Sequence, residues 1–297
     1  MLPFVGVTTF LRAPHRPLEE AWRADVGFLG VPFDITVGYR PGARFAPQAI
    51  RQASLRYALS PEGYYHPRHG WRLKGVQVVD AGDVDIPTLD YEQAFARIAT
   101  AARALRERVR LPLFVGGDHS VSYPLLLAYD DVPDLHVVQL DAHLDFSDER
   151  DGTRYSNSSP FRRAKEALPN LKHITTSGLR GVRFDAEAVQ VAQAYGHTLL
   201  FREELPALDL ASVLPEGKSV YLSIDVDVLD PALLPATSSP EPDGLSFSEM
   251  VQIIQQVVQR NTLVGVDLVE LTPPLDPSGN SALIAVRLLL EVLMAGR

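Results

Sequence analysis

Short runs of β-branched and aliphatic residues alternate with segments of helical period along the whole chain, and this alternation limits the fold more than any other feature. Strand-like runs occupy residues 26–31, 76–80, 113–115, 135–141, 174–177, 220–225 and 263–268. Several are apolar at every position rather than at alternate ones, as expected of parallel strands covered on both faces. Between them, Phe95, Ile98, Ala102, Leu105 and Val109 step by three and four, placing an apolar stripe on one helix face. Ser246 and Glu249 stand as a capping box ahead of Met250, Ile254 and Val257. A last helix is expected over 281–294. The order predicts an α/β fold: a doubly wound, mostly parallel sheet with helices on both faces. The Pro- and Gly-rich stretches 61–70, 231–244 and 273–279 read as ordered loops. No linker, repeat or boundary divides the chain, so residues 1–297 are expected to form a single catalytic domain.

Charge and composition exclude several classes of function. Twenty-eight basic and 37 acidic side chains give a net charge of −9, which argues against a nucleic-acid or anionic-membrane partner. The absence of cysteine rules out disulfides, thiolate catalysis, Cys-ligated zinc and iron–sulfur clusters. Residues 1–17 lack the pattern of a secretory signal. The longest apolar tract, 282–295, is interrupted by Arg287 and Glu291 and is too short to span a bilayer. A cytoplasmic location is the expectation.

In a doubly wound sheet, ligands gather outside the carboxyl ends of the strands, and there the chemistry-bearing residues lie. Gly116-Gly117-Asp118-His119-Ser120 follows one strand, Asp141-Ala142-His143-Leu144-Asp145 a second, and Asp225-Val226-Asp227-Val228-Leu229-Asp230-Pro231 a third. In extended backbone, a spacing of two would put Asp141, His143 and Asp145 on one face, and likewise Asp225 and Asp227. Like charges at close range raise each other's pKa, so four ionised carboxylates in one space need compensation. Two divalent cations supply it. Carboxylate oxygens with some imidazole suit Mn²⁺, with Fe²⁺, Co²⁺, Ni²⁺ and Zn²⁺ as competitors. A pair of such ions can generate a nucleophile from water at neutral pH. The candidate ligands are therefore His119, Asp141, His143, Asp145, Asp225 and Asp227. His136 reads as a satisfied core residue, and His15, His66, His69 and His197 carry no spacing signal. Asp118 and Asp230 read as turn caps or as support for the ligands.

The three motifs resemble the signatures of the ureohydrolase superfamily of arginases, agmatinases and relatives. The likeness runs from Pro41-Gly42-Ala43-Arg44 to Asp267-Leu268-Val269-Glu270, and segment 156–164 looks most like the agmatinase branch. The resemblance implies an arginase-like three-layer α/β/α fold and a binuclear manganese centre. His119, Asp141, Asp145 and Asp225 would hold one ion, and Asp141, His143, Asp225 and Asp227 the other, with Asp141 and Asp225 bridging. Glu270 would receive the substrate guanidinium, and Asp145 would pass a proton to the departing nitrogen. The implied reaction converts agmatine to putrescine and urea, a step of polyamine biosynthesis. Relatives form trimers or hexamers, so a homo-oligomer is expected, with a small guanidino molecule as the ligand.

One departure matters. Asn157, in Ser156-Asn157-Ser158-Ser159-Pro160-Phe161, stands where many family members carry a proton-shuttling histidine, and an amide does not titrate. Three readings follow, in order: Asp145 and water suffice; the substrate is formimidoylglutamate; or the chain is a non-catalytic metal-binding subunit. Asn157 can still position substrate by hydrogen bonding. Loop charges leave the substrate open among agmatine, formimidoylglutamate and guanidinobutyrate. Asp148, Glu149 and Asp151 favour a cation, whereas Arg150, Arg154, Arg162 and Arg163 favour carboxylates.

Overall fold

Alternation along each strand sends apolar side chains to both faces of one sheet, and helices cover both. The computed structural model describes residues 5–87 and 89–296; residues 1–4, part of the stretch read for a secretory signal, lie outside them. Among the described residues the strands are β1 (Ala24–Gly30), β2 (Tyr64–His66), β3 (Gly70–Arg72), β4 (Val78–Asp83), β5 (Val109–Val115), β6 (Leu135–Leu140), β7 (Leu171–Leu179), β8 (Thr198–Phe201), β9 (Ser219–Asp225) and β10 (Thr262–Val269). The helices are α1 (Ala46–Ser54), α2 (Tyr91–Arg106), α3 (Ser122–Leu126), α4 (Pro160–Ala167), α5 (Ala186–Ala194), α6 (Leu210–Val213), α7 (Phe247–Arg260) and α8 (Asn280–Ala295).

Eight strands form one sheet in the order β4-β1-β5-β10-β9-β6-β7-β8, and every neighbouring pair is parallel. Val138 and Leu140 of β6 point into the apolar layer shared with Ile50 of α1, Met250 and Val257 of α7 and Val286 of α8. Leu135 and Val137 point the other way, to Ile98 of α2, Leu125 of α3, Phe161 of α4 and Ala188 of α5. This is the α/β, helix-on-both-faces arrangement expected from the sequence. The chain lays down β5, then β6, β7 and β8, and returns with β9 and β10 to fill the gap between β5 and β6. The carboxyl ends of β5, β10, β9 and β6 therefore stand side by side.

Several boundaries differ from the sequence expectation. Val109 does not extend the α2 stripe: the helix ends at Arg106 and Val109 opens β5, where its branched side chain suits a strand. The capping box holds, with Ser246 and Glu249 bonding reciprocally. Part of the 61–70 loop is strand, since β2 pairs with β3 in an antiparallel hairpin outside the main sheet. Its Tyr65 and Trp71 are exposed, so no core-facing periodicity marked it. The edge strand β8 was also not foreseen. His136 is only half-buried, and its Nδ1 has no hydrogen-bond partner. Its Nε2 faces Asp134 at 3.3 Å instead, so it is not a satisfied core residue.

Candidate active site

The loop after β5 is set by one close approach. A β-carbon on Gly117 would lie 1.5 Å from the carbonyl oxygen of Phe33, so only glycine fits. The Asp118 amide then donates to that same carbonyl at 2.8 Å. Asp118 accepts from the Ser120 amide (3.0 Å) and hydroxyl, and from the amide (3.0 Å) and hydroxyl (2.8 Å) of Thr36. Burial pushes the Asp118 carboxyl up to about 6, with those bonds opposing it. The capped turn fixes His119. Asp230 likewise caps its own loop, accepting from the amides of Ala232 and Gly244.

His119 Nδ1 lies 3.1 Å from Asp141 Oδ2, 3.0 Å from Asp145 Oδ2 and 3.1 Å from Asp225 Oδ2. On the far side of the ring, Nε2 is 3.0 Å from Ser223 Oγ, whose proton is donated to Asp267 Oδ1 at 2.6 Å. Ser122 and Tyr221 donate to the other oxygen of Asp267. This relay assigns the ring proton to Nε2 and leaves a lone pair on Nδ1. That Nδ1 is buried and makes no hydrogen bond among the described residues, although three carboxylate oxygens surround it. A lone pair facing three anionic oxygens repels them, whereas a cation at their common focus would be bound by all four. The residues fit a metal ion.

A second group adjoins the first. His143 Nδ1 stands 3.0 Å from Asp227 Oδ2 and 3.5 Å from Asp141 Oδ1. The structure thus gathers His119, Asp141, Asp145 and Asp225 into one set of donors and Asp141, His143 and Asp227 into another. Asp141 is common to both. Asp225, expected to bridge, belongs geometrically to the first set; its Oδ1 accepts the Asp227 amide at 2.8 Å.

The charges are mutually perturbing. Burial, then Asp227 and Asp141, hold Asp225 well above the usual carboxylate range. Burial and Asp141 raise Asp145 to about 6. At His119 burial favours the neutral ring, but the three carboxylates outweigh it and raise its pKa. Without cations the cluster keeps protons; divalent ions would displace them.

Turns, not strand alternation, produce the convergence. β6 ends at Leu140 and Asp145 adopts φ +49, while Asp227 lies in a 3-10 turn capped by Asp225. Extended backbone would have carried these side chains away along the strand axis.

Glu270 follows β10 with φ +64 and is 3% exposed. Its Oε1 accepts the His119 amide at 2.8 Å and the Asn157 side-chain amide at 3.4 Å, and its Oε2 accepts the Ser238 hydroxyl. Burial and the nearby Asp118 push it up to about 8. Glu270, Asn157, Asp145, Asp225 and Asp227 all line one open cleft. Most of the arginines weighed in the sequence are ion-paired: Asp148 takes Arg154 and Arg163 at 3.0 and 2.7 Å, and Arg162 reaches Glu187 of α5 at 2.7 Å. Arg150 does line the cleft.

Sequence reading missed Ser238, Arg183 and Gln139. Gln139 donates to Asp141 Oδ2 at 2.7 Å; its spacing of two from Asp141 was a usable signal. Ser238 and Arg183 had none, because loop packing alone brings Ser238 to Glu270 and Arg183 to the cleft.

The Arginase family model matches residues 24–295. A mitochondrial guanidino acid hydrolase of Homo sapiens is 35% identical over 303 residues, covering 98% of this chain and 83% of that protein. A guanidinobutyrase of Pseudomonas aeruginosa is 34% identical over 302 residues, covering 98% and 92%. The solved proclavaminate amidino hydrolase of Streptomyces clavuligerus matches with a TM-score of 0.89 at 30% identity, covering 100% of this chain and 99% of that one. Fold, cleft and likeness agree, and the chain belongs to the arginase family, hydrolases of guanidino C–N bonds.

Proposed function

We propose that this protein is a binuclear manganese hydrolase that splits a linear guanidino compound into urea and an amine. The observation that carries the reading is His119 Nδ1, buried without a hydrogen bond among three carboxylate oxygens. His119, Asp141, Asp145 and Asp225 would hold one ion. Asp141, His143 and Asp227 would hold the other, with Asp225 as the further shared ligand. When bound, the ions supply Lewis acidity and a water acidic enough to act as nucleophile at neutral pH.

The chain's own residues do the rest. Glu270 receives the planar guanidinium through charge-assisted hydrogen bonds. The His119 amide and the Ser238 hydroxyl hold that carboxylate in place, so the reacting carbon is presented in one orientation. Asn157 completes the same face. A cationic guanidinium beside Glu270 favours its ionised form over the protonated one. The Asp145 carboxyl lines the cleft and carries the proton to the departing nitrogen. All of this is assigned to a single catalytic domain, cytoplasmic and assembled into trimers or hexamers as the family resemblance implies.

Agmatine, yielding putrescine, is the substrate favoured by the sequence resemblance and shared with relatives named agmatinase. An ω-guanidino acid is the reading that the arginines lining the cleft favour over agmatine. The test is a Mn²⁺-loaded panel of agmatine, arginine, 4-guanidinobutyrate and formimidoylglutamate, scored for urea and formamide. Urea from a guanidino compound is expected, and Asp225→Asn should abolish it. Formamide alone would make the protein a formimidoylglutamase. About two bound metals with no product from any member would make it a non-catalytic metal protein.

A further inference from the structure

Four charged side chains line the cleft away from the metal-ligand cluster: Arg150, Arg180, Arg183 and Asp185. Three are engaged. Arg180 donates to the backbone carbonyls of Gly178, Asp227, Val228, Leu229, Glu241 and Pro242, and so ties the loops together. Asp185 caps α5, accepting from the amides of Glu187 and Ala188, so its charge is spent on the positive end of that helix. Arg150 donates to Ser158 Oγ at 2.6 Å and stands 3.9 Å from Asp151.

Arg183 is different. It is exposed, and among the described residues it makes no hydrogen bond or ion pair. It sits in the loop between β7 and α5, just after Gly181, whose φ of +85 turns the chain. A β-carbon on Gly181 would meet the Glu241 carboxylate at 2.7 Å. Glu241 faces His143 Nε2 at 3.9 Å and makes no ion pair with Arg183. In a chain carrying 37 acidic against 28 basic side chains, a cation is thus left without an anion on the wall of a substrate cleft. Phe184, 37% exposed, lines the same cleft and offers apolar surface to a methylene chain.

We propose that Arg183 determines specificity by receiving the distal carboxylate of an ω-guanidino acid, so that the cleft prefers such an acid to agmatine. The inference rests on the guanidino-hydrolase reading and deepens it. A guanidino acid is a zwitterion: its cation matches Glu270 and its carboxylate matches Arg183, with Arg150 adding positive potential. Agmatine carries two cations and would set its ammonium against Arg183.

The experiment compares Mn²⁺-loaded wild type, Arg183→Gln, Arg183→Glu and Arg183→Lys on 4-guanidinobutyrate and agmatine, reading KM and kcat separately. Calorimetric titration with 4-guanidinobutyrate gives binding without turnover. Because Arg183 is exposed, its replacement should leave the fold intact. Wild type should favour the acid. An exposed charge pair is modest in water, so Arg183→Gln should raise KM for 4-guanidinobutyrate by about threefold with kcat little changed. Charge reversal in Arg183→Glu should shift the kcat/KM ratio of acid to agmatine by roughly tenfold or more, and Arg183→Lys should retain most of the preference. An unchanged ratio in Arg183→Glu, or a wild type that favours agmatine, overturns the proposal and leaves the hydrolase reading standing. Absence of urea from these two compounds and from arginine overturns the hydrolase reading. The titration then decides for Arg183: binding weakened in Arg183→Glu supports it, and binding unchanged or undetectable in wild type rejects it.

Discussion

The floor of the cleft and its mouth are built on opposite terms. At the floor, His119, Asp141, Asp225 and Glu270 are buried, and most of their polar atoms have a partner or face the shared cluster. Two residues there, Asp145 and Glu270, hold left-handed backbone angles that side chains other than glycine adopt only when the surroundings impose them. At the mouth, Arg183 is exposed and without a bond among the described residues, and Phe184 is 37% exposed. The contrast shows what each task demands. Breaking a guanidino C–N bond needs fixed charges that do not reorganise. Choosing among substrate tails needs only the right sign of charge within reach.

That comparison can be broken or sharpened in four ways. The largest effect is expected at Glu270. Glu270→Gln keeps the acceptor for the His119 amide but removes the anion, and should lower kcat/KM for any guanidino substrate by roughly a hundredfold with manganese content unchanged. Near-normal kinetics would detach the floor from substrate recognition. Next is Ser223→Ala, which cuts the relay from His119 Nε2 to Asp267. Manganese affinity should weaken by about 10–100-fold, recovering activity at high Mn²⁺; unaltered affinity in equilibrium dialysis would show the relay to be ornamental.

Asn157→His tests the position where the family's titrating side chain is replaced. If Asp145 and water suffice, kcat should change by less than about threefold, whereas a missing proton shuttle restored would raise it on the order of a hundredfold. The smallest effect concerns stability behind the mouth. His197 packs edge-on against Phe146 at 5.0 Å and lies over Tyr195 at 5.8 Å, and its Nε2 has no hydrogen-bond partner among the described residues. Burial, then Lys165 and His173, lower its pKa to about 3. The unfolded chain takes up a proton near pH 6.5 while the folded ring stays neutral. The stabilisation is therefore complete above pH 6.5 and is lost as the pH falls towards 3. Acidification from pH 7 to 5 should cost about 2 kcal/mol from this group, read by urea unfolding. His197→Phe should remove that share of the loss, and an identical acid sensitivity in the variant would exclude it.

The floor was more legible in the sequence than the mouth, for a physical reason. β6 and β9 are apolar on both faces, so their runs stand out, and the acidic residues follow each strand within a few positions. The location of Asp141, His143, Asp225 and Asp227 could thus be read, yet the cause could not: turns at Asp145 and 226–228, rather than extended alternation, aim the side chains. β8 is a short edge strand and β2–β3 an exposed hairpin, and neither buries a continuous face that periodicity would register. Ser238 reaches Glu270 and Arg183 reaches the cleft from separate loops, a proximity no local pattern encodes. The loop arginines looked available by composition but are mostly paired.

Catalysis here depends above all on paired cations seated in the carboxylate cradle. The direct measurement is anomalous diffraction from crystals of the protein grown with Mn²⁺. Two peaks per chain are expected, one among His119, Asp141, Asp145 and Asp225 and one among Asp141, His143 and Asp227. A single peak, or none at these residues, would contradict that pairing.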